Sequence, residues 1–202
     1  TMPYLVRILG PEYFGLLAFS TATIAFFMLI TDYGFNLSAT RQISIHRDDN
    51  AKVNEIFSSV MTIKTALMII SFFLMSLLVF NVEKFSQHWV VYFITFGMVV
   101  GQVLFPVWLF QGMERMKYIT YLNIGAKIFF TLCVFIFVQE QADYLIVPFF
   151  TSLGFIVAGL GALYLVKKEF GVRFIWQGLP SLKFQLTEGW HVFLSSIAIS
   201  LY

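Results

Sequence analysis

The chain has 202 residues, of which 59% are hydrophobic, 19% aromatic and only 12% charged, with 25 phenylalanines and a mean hydropathy of +0.82. Soluble domains hold roughly 45–50% apolar and about 25% charged residues, so a water-soluble globule, a disordered chain and a disulfide scaffold are excluded. An integral membrane protein is expected, and a net charge of +2 gives no electrostatic case for nucleic acid.

A helix needs about 20 apolar residues to cross the hydrocarbon core. Thr1–Val6 reads as the tail of an earlier helix, with Pro3 near its end, and residues 1–13 as that tail plus an outer loop. Phe14–Leu37 is the first complete span, interrupted near its end by Asp32. Ile56–Phe80 follows with Lys64 inside it, then Trp89–Gly112, then Tyr118–Val138 with Lys127 inside it, then Tyr144–Val166. Counting the incomplete helix as the first, residues 14–166 hold transmembrane helices 2–6. Asn50–Ile56 is placed to extend the third helix into water. Residues 167–189 mix Phe170, Phe174, Ile175, Trp176, Leu179 and Leu182 with basic side chains. They read either as a surface-lying amphipathic linker or as an ordinary interfacial loop. Residues 190–202 begin a seventh helix. Thr1 in place of a start methionine, and an end at Tyr202 inside an apolar run, give the expectation of a piece of a longer chain. The fold class expected is an all-α, multi-pass membrane bundle, because open sheet edges cannot face lipid.

Orientation follows from lysine and arginine placement. Arg41, Arg47, Lys52, Arg115, Lys117, Lys167, Lys168, Arg173 and Lys183 fall on one side, against Arg7 and Lys84 on the other. The richer side is expected to be cytoplasmic, with the chain starting in the cytoplasm.

A charge at membrane depth is costly, so Asp32, Lys64 and Lys127 are candidate functional residues. Counted from the inner ends of their spans they lie roughly 8, 12 and 14 Å deep, in the cytoplasmic half. They are expected to line one cavity open to the inside, where two lysines attract an anion such as a phosphate. The plainer readings are that the lysines snorkel and that Asp32 pairs with one of them to lock two helices. Gln102, Gln111, Asn36 and Asn123 either line the same cavity or tie helices together. Gly97 and Gly101, and the series Gly154, Ala158, Ala162, permit close helix approach. Pro106 and Pro148 lie within spans as kinks or hinges.

Catalysis and cofactors find little support. Cys133 is the single cysteine, and His46, His88 and His191 are scattered with no shared nucleophile. The run His46-Arg47-Asp48-Asp49 reads as a solvated turn, and no glycine-rich phosphate loop occurs. No metal, no cofactor and no enzymatic activity are expected.

Four segments resemble Wzx-type polysaccharide (O-antigen) flippases: RILGPEYFG (Arg7–Gly15), TDYGFNLSATRQIS (Thr31–Ser44), PVWLFQGMERMKYIT (Pro106–Thr120) and EGWHVFLSSIAISLY (Glu188–Tyr202). The FQGMERM stretch is the most specific of them. The resemblance implies the N-terminal lobe of the multidrug/oligosaccharidyl-lipid/polysaccharide exporter (MATE-like) fold, two six-helix bundles facing a central cavity. It implies a flippase moving undecaprenyl-pyrophosphate-linked oligosaccharide from the cytoplasmic to the periplasmic leaflet of the bacterial inner membrane. Alternating access would be driven by a proton or sodium gradient. Its partners would be the lipid-linked substrate, membrane lipids and the polysaccharide polymerase and chain-length machinery. Lys64 and Lys127 would meet the pyrophosphate, Arg7 would stand at the outer mouth and Arg41 at the inner mouth, and Asp32 would couple ions or pair a cation. Either arginine reads equally as a headgroup anchor. Competing readings are a multidrug or small-molecule antiporter of the same fold and a membrane-embedded polymerase, for which the outer loops Asn81–His88 and Gln139–Asp143 are short.

Overall fold

A computed structural model describes residues 1–201. The described residues form ten α-helices and one 3₁₀ turn, with no strand. In chain order they are α1 (Met2–Asp32), α2 (Phe35–Ile45), α3 (Asn50–Asn81), α4 (Glu83–Ser86), α5 (Trp89–Thr95), α6 (Gly97–Leu104), α7 (Val107–Gly112), α8 (Lys117–Phe137), the 3₁₀ turn (Gln141–Leu145), α9 (Ile146–Phe170) and α10 (Leu179–Leu201). Five stretches are long and apolar enough to cross a membrane: Met2–Ile45, Asn50–Asn81, Trp89–Gly112, Lys117–Phe137 and Gln141–Phe170. The protein is an all-α, multi-pass membrane bundle.

Several boundaries differ from those expected, each for a local backbone reason. The helix tail and the turn expected within residues 1–13 are both present, the turn reduced to one residue at which two helices meet. The helix is interrupted at the single residue Gly10 (φ 72°, ψ 172°), a region open to glycine, and resumes at Pro11, whose fixed φ suits a first helical turn. The first complete span ends not at Leu37 but at Ile45, after a break at Tyr33 (φ 48°) and Gly34 (φ 75°), both left-handed. α3 starts at Asn50, ahead of the apolar span, because the Asp49 carboxylate accepts from the amides of Ala51 (3.0 Å) and Lys52 (3.1 Å). That cap gives Asp49, the last residue of the His46–Asp49 run, a structural role. Pro106 does divide its span, separating α6 from α7. Pro148 does not: it sits in the first turn of α9, where its missing N–H removes no helical bond, and α9 is continuous. Residues 167–189 fall into three parts. α9 runs on to Phe170 and stops at left-handed Gly171 (φ 64°); residues 171–178 are non-helical; α10 starts at Leu179, well before Trp190.

The two ends of the bundle are tied by loop contacts. At one end Arg47 pairs with Glu114 at 2.8 Å, the Tyr118 hydroxyl donates to Glu169 at 2.7 Å, and the amides of Arg173 and Ile175 donate to Asn54 and Ser58 on α3. This is the end rich in lysine and arginine. At the other, the Tyr4 hydroxyl donates to the Val138 carbonyl at 2.8 Å, Tyr13 stacks on Tyr144, and Lys84 lies over the Phe19 ring. Between them Phe73, Leu77 and Phe80 on α3 and Ile124, Ile128 and Leu132 on α8 point outward, as apolar side chains facing lipid do.

The closest helix pair is α6 with α9, which run parallel. A Cβ at Gly101 would lie 2.3 Å from the Phe155 backbone carbon, one at Gly97 2.7 Å from Ser152 Cβ, and one at Gly159 2.7 Å from the Gly101 oxygen. The Gly97/Gly101 pair therefore serves helix packing inside the chain. Ser152 adds a 2.7 Å hydrogen bond to the Ile94 carbonyl beside the α5–α6 junction. Gly101→Ala is expected to destabilise the purified protein by about 1–3 kcal/mol, because the obstructing atoms are backbone. Gly15→Ala, with open space around it, is the neutral control. Equal melting temperatures for the two variants in detergent would contradict this packing.

Candidate functional site

The break after Asp32 exists because Tyr33 and Gly34 leave the helical region, and Asp32 is the last residue of α1 before it. Across from it, Lys64 on α3 is 1% exposed. Its Nζ lies 3.6 Å from Asp32 Oδ1, so the two form an ion pair within the bundle. That distance is a charge contact rather than a hydrogen bond, and Asp32 Oδ1 is buried with no hydrogen-bond partner. α10 closes over the break. A Cβ at Gly34 would fall 2.7 Å from Val192, a Cβ at Gly189 would fall 3.0 Å from Tyr33, and the Tyr33 and Phe193 rings stack at 4.8 Å. Nearer the basic end α10 is held by a reciprocal amide pair, Gln42 with Gln185 (3.1 and 2.7 Å), and by Ser181 donating to Glu55 (3.0 Å).

Lys127 lies elsewhere. It is exposed on α8 and lines a cleft of about 230 Å³ between α8 and the α6–α7 strand of helices, floored by α9. Asn123, one helical turn earlier, and Gln102, across on α6, line the same cleft. The remaining walls are mostly apolar, Phe105, Phe130 and Phe155 among them. The Gln102 side-chain oxygen is buried without a hydrogen-bond partner. Among the described residues no acidic group pairs with Lys127.

The single cavity expected for Asp32, Lys64 and Lys127 is thus two places. Lys64 is sealed against Asp32, whereas Lys127 is open in a separate cleft; the spans place all three at depth but do not set the rotation of α3 and α8. Gln102 and Asn123 join Lys127, while Gln111 accepts from Thr40 at 3.3 Å and ties α7 to α2. Arg7 and Arg41 are exposed at opposite ends of the bundle. The Gln42–Gln185 pair and Gly159 escaped sequence reasoning, since nothing in their spacing marks them as partners. The break at Tyr33–Gly34 had a signal, an isolated glycine in mid-span.

Residues 1–202 match the family described as polysaccharide biosynthesis protein throughout. The chain belongs to that family. It is 37% identical over 202 residues to a protein of Escherichia coli (strain K12), and 32% identical over 201 residues to one of Shigella dysenteriae, both named "Putative O-antigen transporter". The matches cover 100% of this chain and 49% and 50% of those proteins, so the chain spans about half the length of the curated relatives it matches. No solved structure matches it significantly.

Removing one member of a buried pair strands the other in low dielectric, at a cost of about 3–5 kcal/mol. Lys64→Ala and Asp32→Asn are each expected to lower the amount of protein in the membrane. The double variant Asp32→Asn/Lys64→Met, which leaves no unpaired charge, is expected to recover it. Quantitative immunoblotting of membranes checks this, and a double variant as scarce as the singles would mean the pair is not the interaction holding α1 to α3 there.

Proposed function

We propose that the full-length protein is a flippase that moves undecaprenyl-pyrophosphate-linked oligosaccharide from the cytoplasmic to the periplasmic leaflet of a bacterial inner membrane. It serves O-antigen or other surface polysaccharide synthesis, and it is a transporter rather than an enzyme. The observation that carries this reading is Lys127: a cation in mid-span, without an acidic partner among the described residues, lining a cleft. Membership of the polysaccharide biosynthesis family supports the substrate class.

In this reading the basic end of the bundle is cytoplasmic and the N-terminus of the full-length chain lies inside. Arg41, at that end, meets the phosphate on entry, Lys127 during passage and Arg7 near exit. The Asp32–Lys64 pair is the ion-coupling element: a proton or sodium ion at Asp32 weakens the pair, and Lys64 then becomes available to the substrate. Because α10 closes over this break, a change there is felt where the following half of the protein attaches. The helices form the N-terminal lobe of an exporter with two facing bundles. The polysaccharide polymerase and chain-length machinery take the product.

A second reading, a small-molecule antiporter of the same fold, has the Asp32 carboxylate in its favour, since a buried acid suits a cationic drug. That carboxylate is occupied by Lys64, which favours the flippase.

Deleting the gene is expected to strand lipid-linked repeat units in the inner leaflet and abolish surface polymer, and Lys127→Ala in the restored gene to reduce polymer with normal protein abundance. Absence of the repeat unit itself would point to an upstream enzyme. Normal polymer with raised drug sensitivity would move the assignment to efflux.

A further inference from the structure

Apart from the Lys127 cleft, α3 and α10 leave a groove of about 690 Å³ between them. Ile63, Leu67 and Ile70 form one wall and Leu179, Leu182 and Leu186 the other. Thr62 also lines it, but its hydroxyl donates to the Ser58 carbonyl at 2.8 Å and leaves the groove no donor. Lys183 supplies its charge. The level of Lys183 in the membrane follows from its neighbours. Ser181 donates to Glu55 at 3.0 Å, and Glu55 immediately precedes the apolar span of α3. Two residues further along α10, Lys183 stands at the boundary between head groups and hydrocarbon, within reach of phosphates along its aliphatic stem. From Thr62 to Ile70 the α3 wall runs inward for roughly 12 Å, most of the depth of one leaflet of a core about 30 Å thick. No acidic side chain among the described residues pairs with Lys183. Glu55 is already held by Lys52 at 2.8 Å and by Ser181. Arg173, tethered through its amide to Asn54 at 2.8 Å, adds an exposed cation at the same level of α3. A free anion would leave the apolar walls empty. An apolar helix laid in the groove would cover Lys183 without a counter-charge, at a cost in desolvation. A phosphodiester with an acyl chain below it satisfies both features.

We propose that the α3–α10 groove is a binding site for a resident anionic phospholipid of the leaflet at the basic end. Lys183 holds its phosphate, and one acyl chain lies along Ile63, Leu67 and Ile70. The lipid is a fixed part of the assembled bundle rather than cargo. Ser181–Glu55 and Gln42–Gln185 tie the first turns of α10 to α3 and α2, and the chain fills the apolar gap that these polar ties leave. Because Glu55 is engaged, it is not free to receive an ammonium head group, so the site favours an anionic lipid over a zwitterionic one. The proposal stands apart from the flippase reading and assigns no role to the transported molecule.

The test uses the full-length protein, free of other cysteines, in nanodiscs. A bimane fluorophore is attached at Ile70→Cys in the groove, or at Ile128→Cys on the outward face of α8 as the control for ordinary lipid contact. Phospholipids brominated on the acyl chain quench bimane on contact. At Ile70→Cys, brominated phosphatidylglycerol is expected to compete about fivefold better than brominated phosphatidylethanolamine, the contribution of one lysine near a lipid phosphate. At Ile128→Cys no preference is expected. Lys183→Gln is expected to abolish the preference at the groove and Lys183→Arg to keep it; Lys183 is exposed, so neither change disturbs the core. Ala66→Phe, which narrows the groove, is expected to reduce quenching there, with thermal unfolding as the check that the variant folds. Equal preferences at the two positions, or a preference that survives Lys183→Gln, would overturn the proposal. So would a groove that neither lipid quenches, which would mean that the rest of the protein covers it. Displacement of phosphatidylglycerol by an equimolar polyprenyl diphosphate would also overturn it, by making the groove a site for cargo. The surface-polymer assay decides the flippase reading separately, whatever the quenching shows.

Discussion

Hydrocarbon offers no hydrogen bond and no counter-charge, and the arrangement of this bundle follows from that lack. Each polar interruption of a span has to be covered by protein. The left-handed break at Tyr33–Gly34 is covered by α10, whose Gly189 and Val192 lie within van der Waals contact of it. The Asp32 carboxylate beside that break faces Lys64, buried to 1% exposure. The division at Phe105–Pro106 is bridged by short turns, with Phe105 donating to the Gln102 carbonyl and Val107 to the Phe105 carbonyl. Breaks that would be ruinous in a lipid-facing helix are tolerated here because neighbouring helices replace the missing solvent.

The same constraint makes close packing depend on small residues, since lipid tails compete equally for apolar side chains. α6 and α9 meet backbone to backbone at Gly97, Gly101 and Gly159. α8 also packs on α9, and the cleft lies between α8, α9 and the α6–α7 region. Two mid-span charge sites result, with different characters. One is neutralised and holds helices together near the attachment of α10; the other is open and lacks a counter-charge among the described residues.

Much of this was readable along the chain. Helix count, the basic end, the early start of α3 and the glycine contact face all depend on local composition or on periods of three to four residues. Lys64 and Lys127 could be recognised as costly charges from span depth alone. Which of them is paired could not, because Asp32 and Lys64 are 32 residues apart in sequence and meet only through the rotation of α3 and the break in α1. The same holds for Gln42 and Gln185, separated by 143 positions. Pro148 shows the reverse error: a proline inside an apolar run suggests a kink until the start of α9 places it in the first turn.

By itself the sequence determined that the chain crosses a membrane as helices, which end carries the positive charge, and which side chains are too polar for their depth. These are matters of transfer free energy and helical period, properties of each segment alone. Only the tertiary structure decided that Lys64 is sealed by Asp32 while Lys127 opens into an apolar cleft with Gln102 and Asn123. Such partnerships depend on how helices are rotated and how closely their backbones approach, and those are set by contacts between segments distant in the chain.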